Sequence, residues 1–170
     1  EGKFSETPRD VFAQALDISA YSLVAIGHRA RQLMPEGGSI LALTYYGAVK
    51  VVPGYNVMGV AKAGLEACAS YLAADLGPQN IRVNCICPGF VLTEMLEGYI
   101  NRQTDPERAR KSFASMSPMD RVGRPEDLQA GAYVAGEGVP LDRVTAREPA
   151  PDAGHLIGVE EVACHAGPCL

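Results

Sequence analysis

Apolar residues recur at Val11, Phe12, Leu16, Ile18, Leu23, Val24, Ile26, Leu33 and Met34, a spacing that predicts one long, broadly buried helix ending before Gly37-Gly38. Thr7-Pro8-Arg9-Asp10 marks its start, with a capping hydroxyl, a proline at the first helical position and an acid in the first turn. Ser39-Ile40-Leu41-Ala42-Leu43-Thr44-Tyr45 is a short apolar run bounded by glycine, which predicts a buried strand of a parallel sheet. After a loop through Pro53-Gly54, a second long helix is predicted from near Tyr55 through Leu65, Tyr71 and Leu76 to the Gly77-Pro78 stop. Ile81-Arg82-Val83-Asn84-Cys85-Ile86-Cys87 reads as the next strand, closed by Pro88-Gly89. Strand, helix and strand then form one right-handed crossover. Residues 91–117 read as helices and loop, and Arg124-Pro125-Glu126-Asp127 opens another helix running to about Val134.

This alternation predicts an α/β fold, but an incomplete one. A doubly wound dinucleotide fold needs about six parallel strands. Two are legible, with a third suggested near the end, and no G-x-G-x-x-G turn occurs in the chain. The expectation is a partial doubly wound parallel sheet, Rossmann-like and lacking its first strands. With no internal repeat or low-complexity linker, residues 1–170 are read as a single partial domain. The tail after about residue 140 fits least well. Val144-Thr145 and Asp152-Ala153-Gly154-His155 flank Arg147-Glu148-Pro149-Ala150-Pro151, whose prolines and charges suit an edge or an unstructured stretch better than a central strand. His155 stands isolated there and reads as a tail residue.

Composition narrows the functions open to such a fold. The chain is 47% hydrophobic and 21% charged, with a formal net charge of -5 and scattered basic residues. That argues against a nucleic-acid partner or an anionic membrane surface, since both require clustered Lys and Arg. No apolar stretch approaches the roughly 20 residues that span a bilayer, and Glu1-Gly2-Lys3-Phe4 does not lead into a signal peptide. A cytoplasmic setting is the resulting expectation. The odd count of five cysteines fits it, with Cys68, Cys85 and Cys87 reading as reduced, mostly buried thiols. Cys164-His165 and Cys169 match no zinc spacing, so no metal site is expected.

The chemistry-bearing stretch is Thr44-Tyr45-Tyr46-Gly47, followed by Pro53-Gly54-Tyr55-Asn56-Val57-Met58-Gly59-Val60-Ala61-Lys62-Ala63. Lys62 lies seven residues after Tyr55, nearly on the same helix face and about 10 Å along the axis. Both fall beside the carboxyl end of a strand, where open α/β sheets bind ligands. A lysine near a phenol favours the phenolate, so the Tyr55 pKa is expected to fall. A phenol so placed can hydrogen-bond or protonate an oxygen that becomes negative as hydride arrives at carbon. From spacing alone, however, the commoner reading is a helix-start aromatic and a solvated lysine.

The wider segment resembles the active-site region of bacterial enoyl-acyl-carrier-protein reductases, members of the short-chain dehydrogenase superfamily. Tyr45, Tyr55 and Lys62 within Tyr-Asn-Val-Met-Gly-Val-Ala-Lys-Ala carry the resemblance. So do Leu43-Thr44-Tyr45-Tyr46-Gly47-Ala48, Tyr71-Leu72-Ala73-Ala74-Asp75-Leu76-Gly77-Pro78, Asp17-Ile18-Ser19-Ala20-Tyr21-Ser22 and Ile81-Arg82-Val83-Asn84. It is near-continuous over roughly residues 10–85. Carbonyl-reducing members of the superfamily place their tyrosine four residues before the lysine, and here that position is Met58.

The resemblance implies an NADH-dependent reduction of a trans-2-enoyl thioester on acyl carrier protein, in fatty-acid synthesis. By it, Tyr55 hydrogen-bonds the thioester carbonyl and stabilises the enolate, Tyr45 lines the pocket and assists at the same carbonyl, and Lys62 holds the nicotinamide ribose. Val91, Leu92, Thr93, Glu94 and Met95 match the segment that closes over the cofactor, NAD (NADH). A homo-oligomer, tetramer or dimer, is implied as well. Two stretches depart toward the carbonyl-reducing relatives: Cys87-Pro88-Gly89-Phe90-Val91-Leu92-Thr93-Glu94-Met95 and Gly123-Arg124-Pro125-Glu126-Asp127. Glu94 would repel a pyrophosphate unless it points away. A 3-oxoacyl or other carbonyl reductase, and an inactive truncated chain, therefore remain the alternatives.

Overall fold

In the computed structural model, residues 2–129 are described. The stretch from 130 onward lies outside the described residues, and with it the expected helix end near Val134, the suggested third strand, His155, Cys164-His165 and Cys169. The described chain forms two compact units, divided after Cys87.

In the first unit, α1 (Arg9–Leu16) passes through a wide turn at Asp17–Tyr21 into α2 (Ser22–Ala30), and a tight turn at Arg31–Leu33 ends the run. The long helix read from the apolar spacing is present, but a one-turn π-helical segment interrupts it. Pro8, not Thr7, holds the cap position, and the Thr7 hydroxyl donates back to the Phe4 carbonyl at 2.7 Å. β1 (Gly38–Leu43) and β2 (Ile81–Ile86) are joined through α3 (Asn56–Leu76). The strands pair in parallel, Gly38 beside Ile81 and Leu43 beside Ile86.

The core lies between this strand pair and the helices. Leu23 of α2, Leu65, Ala69, Leu72 and Leu76 of α3, and Ile40, Ile81 and Val83 of the strands form its buried cluster. The stripe 65, 69, 72, 76 on α3 is the helical period that turns one face inward. Strand alternation does the rest. Ile40 is buried, whereas Leu41 and Leu43 point to the other side and are 37% and 53% exposed. Parallel sheets are ordinarily covered on both faces, and among the described residues the Leu41 and Leu43 face of β1 is left open.

In the second unit, α4 (Glu94–Asn101) and α5 (Pro106–Ala114) pack around aromatic rings. Phe113 meets Phe90 at 4.8 Å and Tyr99 at 6.0 Å between centroids, and Ile100 is fully buried. A parallel bridge joins Val91 to Gly123. Asp105 caps α5 by accepting from the Arg108 amide at 3.0 Å, with Pro106 at the first helical position.

The Gly123-Arg124-Pro125-Glu126-Asp127 stretch is a short helical turn, Pro125–Leu128, organised by Asp127. Its carboxylate takes both Arg121 guanidinium nitrogens, at 2.7 and 3.1 Å, and the Arg124 amide at 2.7 Å. The Arg121 hydrogen bond, chiefly, holds the Asp127 carboxyl below its ordinary pKa. A carboxyl whose pKa is lowered on folding stabilises above its unfolded value, about 3.9, and loses that contribution as pH falls through the folded value. Asp127→Asn is therefore expected to lower the denaturant midpoint at neutral pH, and the gap to wild type should close on acidification below about pH 4. Equal midpoints at pH 7 would show that this contact adds nothing.

Candidate active site

The carboxyl end of β1 carries the site. After Leu43, the Thr44 amide continues the ladder by donating to the Ile86 carbonyl at 2.9 Å, and Tyr45 stays extended at φ -155°, ψ 148°. A tight turn at Tyr46–Ala48 then leads through Pro53-Gly54, with Gly54 at φ +79°, to Tyr55 at the cap of α3. The Tyr45 and Tyr55 rings meet edge to face, 4.8 Å between centroids and 64° between planes. Two glycines make room for this. A Cβ on Gly47 would lie 2.5 Å from Tyr55 Cδ1 and 3.3 Å from Tyr45 Cδ1. A Cβ on Gly59 would lie 2.7 Å from the Gly47 carbonyl oxygen, so any side chain there would push α3 off the loop.

Two polar side chains on α3 reach back to the strand. Lys62 Nζ donates to the Leu43 carbonyl at 2.7 Å, and one turn later Glu66 Oε1 accepts from the buried Thr44 hydroxyl at 2.6 Å. An ammonium has three donors, so two on Lys62 remain for a ligand such as the hydroxyls of a ribose. That chemistry fits the nicotinamide end of a dinucleotide. The chain holds no glycine-rich turn for the phosphates.

The expected lowering of the Tyr55 pKa is not what this geometry produces. Burial, the Tyr45 phenol and the Cys87 thiol together push Tyr55 above its ordinary value. Lys62 spends its shortest contact on the strand carbonyl, and the half-buried phenol faces groups that disfavour its anion. The Tyr55 phenol is thus held in its neutral form through neutral pH. Met58, four residues before Lys62, receives the Ser19 hydroxyl at its sulfur, 4.0 Å away, and offers no proton donor of its own.

A cavity of about 430 Å³ opens along the Tyr55 ring, lined by Phe4, Val49, Val51, Val52 and Val60, with Lys50 at its border stacked on the Tyr46 ring. Within the second unit, the proposed cofactor segment is arranged as follows. Val91 and Leu92 are half-buried at the bridge, and the Leu92 amide donates to the Gly123 carbonyl at 2.8 Å. The Thr93 hydroxyl caps α4 by accepting from the Leu96 amide at 3.4 Å, while Glu94 and Met95 are exposed. Among the described residues no group of metal-binding side chains gathers, and no helix is long and apolar enough to cross a membrane.

Gly47, Gly59, Thr44 and Glu66 were not singled out as site residues from sequence. Glu66 was the one within reach of sequence reasoning, since it follows Lys62 by four and so shares its helix face.

A parallel strand–helix–strand unit with a phenol pair at its carboxyl end defines a partial Rossmann-like chain of the short-chain dehydrogenase type. A family model described as enoyl-(acyl carrier protein) reductase matches residues 1–136. The enoyl-[acyl-carrier-protein] reductase [NADPH] FabI of Staphylococcus aureus (strain MRSA252) is 46% identical over 152 residues, covering 83% of this chain and 57% of the relative. The corresponding [NADH] FabI of Nostoc sp. is 61% identical over 92 residues, 54% of this chain and 36% of the relative. The crystal structure of the Bacillus cereus enoyl-acyl carrier protein reductase with NADP+ and indole naphthyridinone superposes with a TM-score of 0.70 at 42% identity, covering 80% of this chain and 51% of that one. This chain belongs to the enoyl-(acyl carrier protein) reductase family. It spans about half the length, or less, of the curated relatives it matches.

Proposed function

We propose that this chain supplies the catalytic half of an enoyl-acyl-carrier-protein reductase that uses NADH to reduce trans-2-enoyl thioesters in fatty-acid synthesis, with residues 1–170 as one partial domain. The observation that carries the reading is the edge-to-face pair of Tyr45 and Tyr55 at the carboxyl end of β1. The nicotinamide, when bound, supplies hydride to the β-carbon. Tyr55, kept neutral by burial and its neighbours, donates a hydrogen bond to the thioester carbonyl oxygen as it gains enolate charge. Tyr45 supports the same oxygen from beside it. The two spare donors of Lys62 hold the nicotinamide ribose, and Val91, Leu92, Thr93, Glu94 and Met95 close over the cofactor. The cavity along Tyr55 is apolar and within the ordinary size range of small-molecule pockets, which suits an acyl chain.

Met58 in the position where carbonyl-reducing relatives carry their tyrosine favours the enoyl reading over a ketone substrate. The apolar ring of Tyr71, 78% exposed on α3, supports assembly as a homo-oligomer, dimer or tetramer. We place the protein in the cytoplasm.

The direct test fuses the chain behind the nucleotide-binding segment of a related enoyl-acyl-carrier-protein reductase and follows nicotinamide absorbance with a trans-2-enoyl thioester. Steady oxidation of NADH with the enoyl thioester is the expected result, and none with a 3-oxoacyl thioester. A folded chimera that turns over only the 3-oxoacyl substrate would replace this function with carbonyl reduction.

A further inference from the structure

We infer that Glu66 is a positioning residue for Tyr45, acting through the buried Thr44 hydroxyl; the inference rests on the function proposed above. Three contacts converge on the two residues that precede Tyr45. The Thr44 amide is held by Ile86, the Leu43 carbonyl by Lys62, and the Thr44 hydroxyl by Glu66, the last at 2.6 Å. Lys62 and Glu66 lie one helical turn apart on the same face of α3, so helix and strand end are stapled at two successive points. A hydroxyl donating to a carboxylate at this distance is a charge-assisted bond, roughly twice as strong as a neutral one.

Thr44 is the one polar side chain among the buried described residues, only 5% exposed, and its hydroxyl has the Glu66 carboxylate as its partner. The bond ties the Thr44 side chain, and so the strand end from which Tyr45 leaves, to α3. Tyr45 continues extended, and its ring edge reaches Tyr55 with Gly47 between them as the spacer. Neither Thr44 nor Glu66 lines the cavity beside Tyr55. Their effect on the reaction passes through the angle at which Tyr45 meets Tyr55 and the thioester oxygen.

Four variants of the chimera test this: Thr44→Val and Glu66→Ala remove the bond, and Thr44→Ser and Glu66→Gln keep a hydroxyl donor and an oxygen acceptor. In near-ultraviolet circular dichroism the difference between the chimera and its Tyr45→Phe variant, in which the donor segment cancels, gives the share that belongs to the tyrosine pair. The two removals are expected to lose that share and to lower kcat about tenfold, since small misplacements of a reacting group carry such penalties. The KM for NADH should stay within about twofold, because the cofactor contacts are untouched. The two conservative variants are expected to restore both the spectrum and kcat. Removals that leave the tyrosine signal and kcat unchanged would overturn the inference, as would conservative variants that fail as badly as the removals. If the wild-type chimera turns over no enoyl thioester, the functional reading fails separately, and the spectrum still decides whether Glu66 orients Tyr45.

Discussion

Tyr55→Phe is expected to lower kcat by about 10²- to 10³-fold in a chimera competent for turnover, the loss of ~2.7–4 kcal/mol that follows removal of one oxyanion donor. The substitution deletes a single oxygen. The ring that packs on Tyr45, Gly47 and Gly59 remains, so the fold and the cavity wall are preserved. An interaction made chiefly to the enolate, and less to the ground-state carbonyl, appears in kcat and kcat/KM together with little change in the KM for NADH. The raised pKa adds a second expectation. Tyr55 acts in its protonated form, and burial together with Tyr45 and Cys87 moves its loss of the proton above the ordinary tyrosine value of about 10. The wild-type rate should therefore show no alkaline fall assignable to Tyr55 below that pH. Initial rates across pH, with the Phe variant in parallel, read both effects. Retention of near wild-type kcat by Tyr55→Phe would mean that another group meets the developing charge.

How much of this was open to sequence reading depended on whether a feature is local. The apolar periods of α1, α2 and α3 and the glycine and proline stops at Gly37, Gly77 and Pro88 are local, and the elements stand where these signals put them. The parallel pairing of 38–43 with 81–86 follows from a strand–helix–strand order and needs no further information. Tyr45, Tyr55 and Lys62 were legible as a spaced set.

What they do to one another was not. The sign of the Tyr55 pKa shift depends on burial of the phenol and on Tyr45 and Cys87 beside it, and Cys87 comes from beyond the end of β2. The glycines show the same limit. Gly47 and Gly59 are required because loop and helix backbones approach each other, a contact that depends on how the intervening turn folds back and on no local period. The π-helical turn at Asp17–Tyr21 was invisible too, since its apolar spacing is that of an ordinary helix.

The separation of fold from site leads to the second large effect, expected at the opposite end of β2. Ile81 is 1% exposed and sits in the cluster that joins Leu23, Leu65, Leu72 and Leu76 to the strands. Ile81→Ala is expected to cost ~2–5 kcal/mol, the range for emptying a buried aliphatic site whose neighbours cannot collapse fully. Ile81 begins β2, and Ile86, which holds Thr44, ends it, roughly 17 Å away at ~3.3 Å per residue. The Tyr45–Tyr55 contact lies beyond that far end, outside the cavity such a truncation would leave. A fall in the guanidinium midpoint should therefore come with an unchanged near-ultraviolet tyrosine signal in the folded baseline. Leu41→Thr supplies the contrast. Leu41 points from the same sheet to its exposed face, so its replacement should move stability by no more than about 0.5 kcal/mol. If the two substitutions cost the same, the core would not lie on the helix side of the sheet, and the support assigned to the site would have to come from elsewhere.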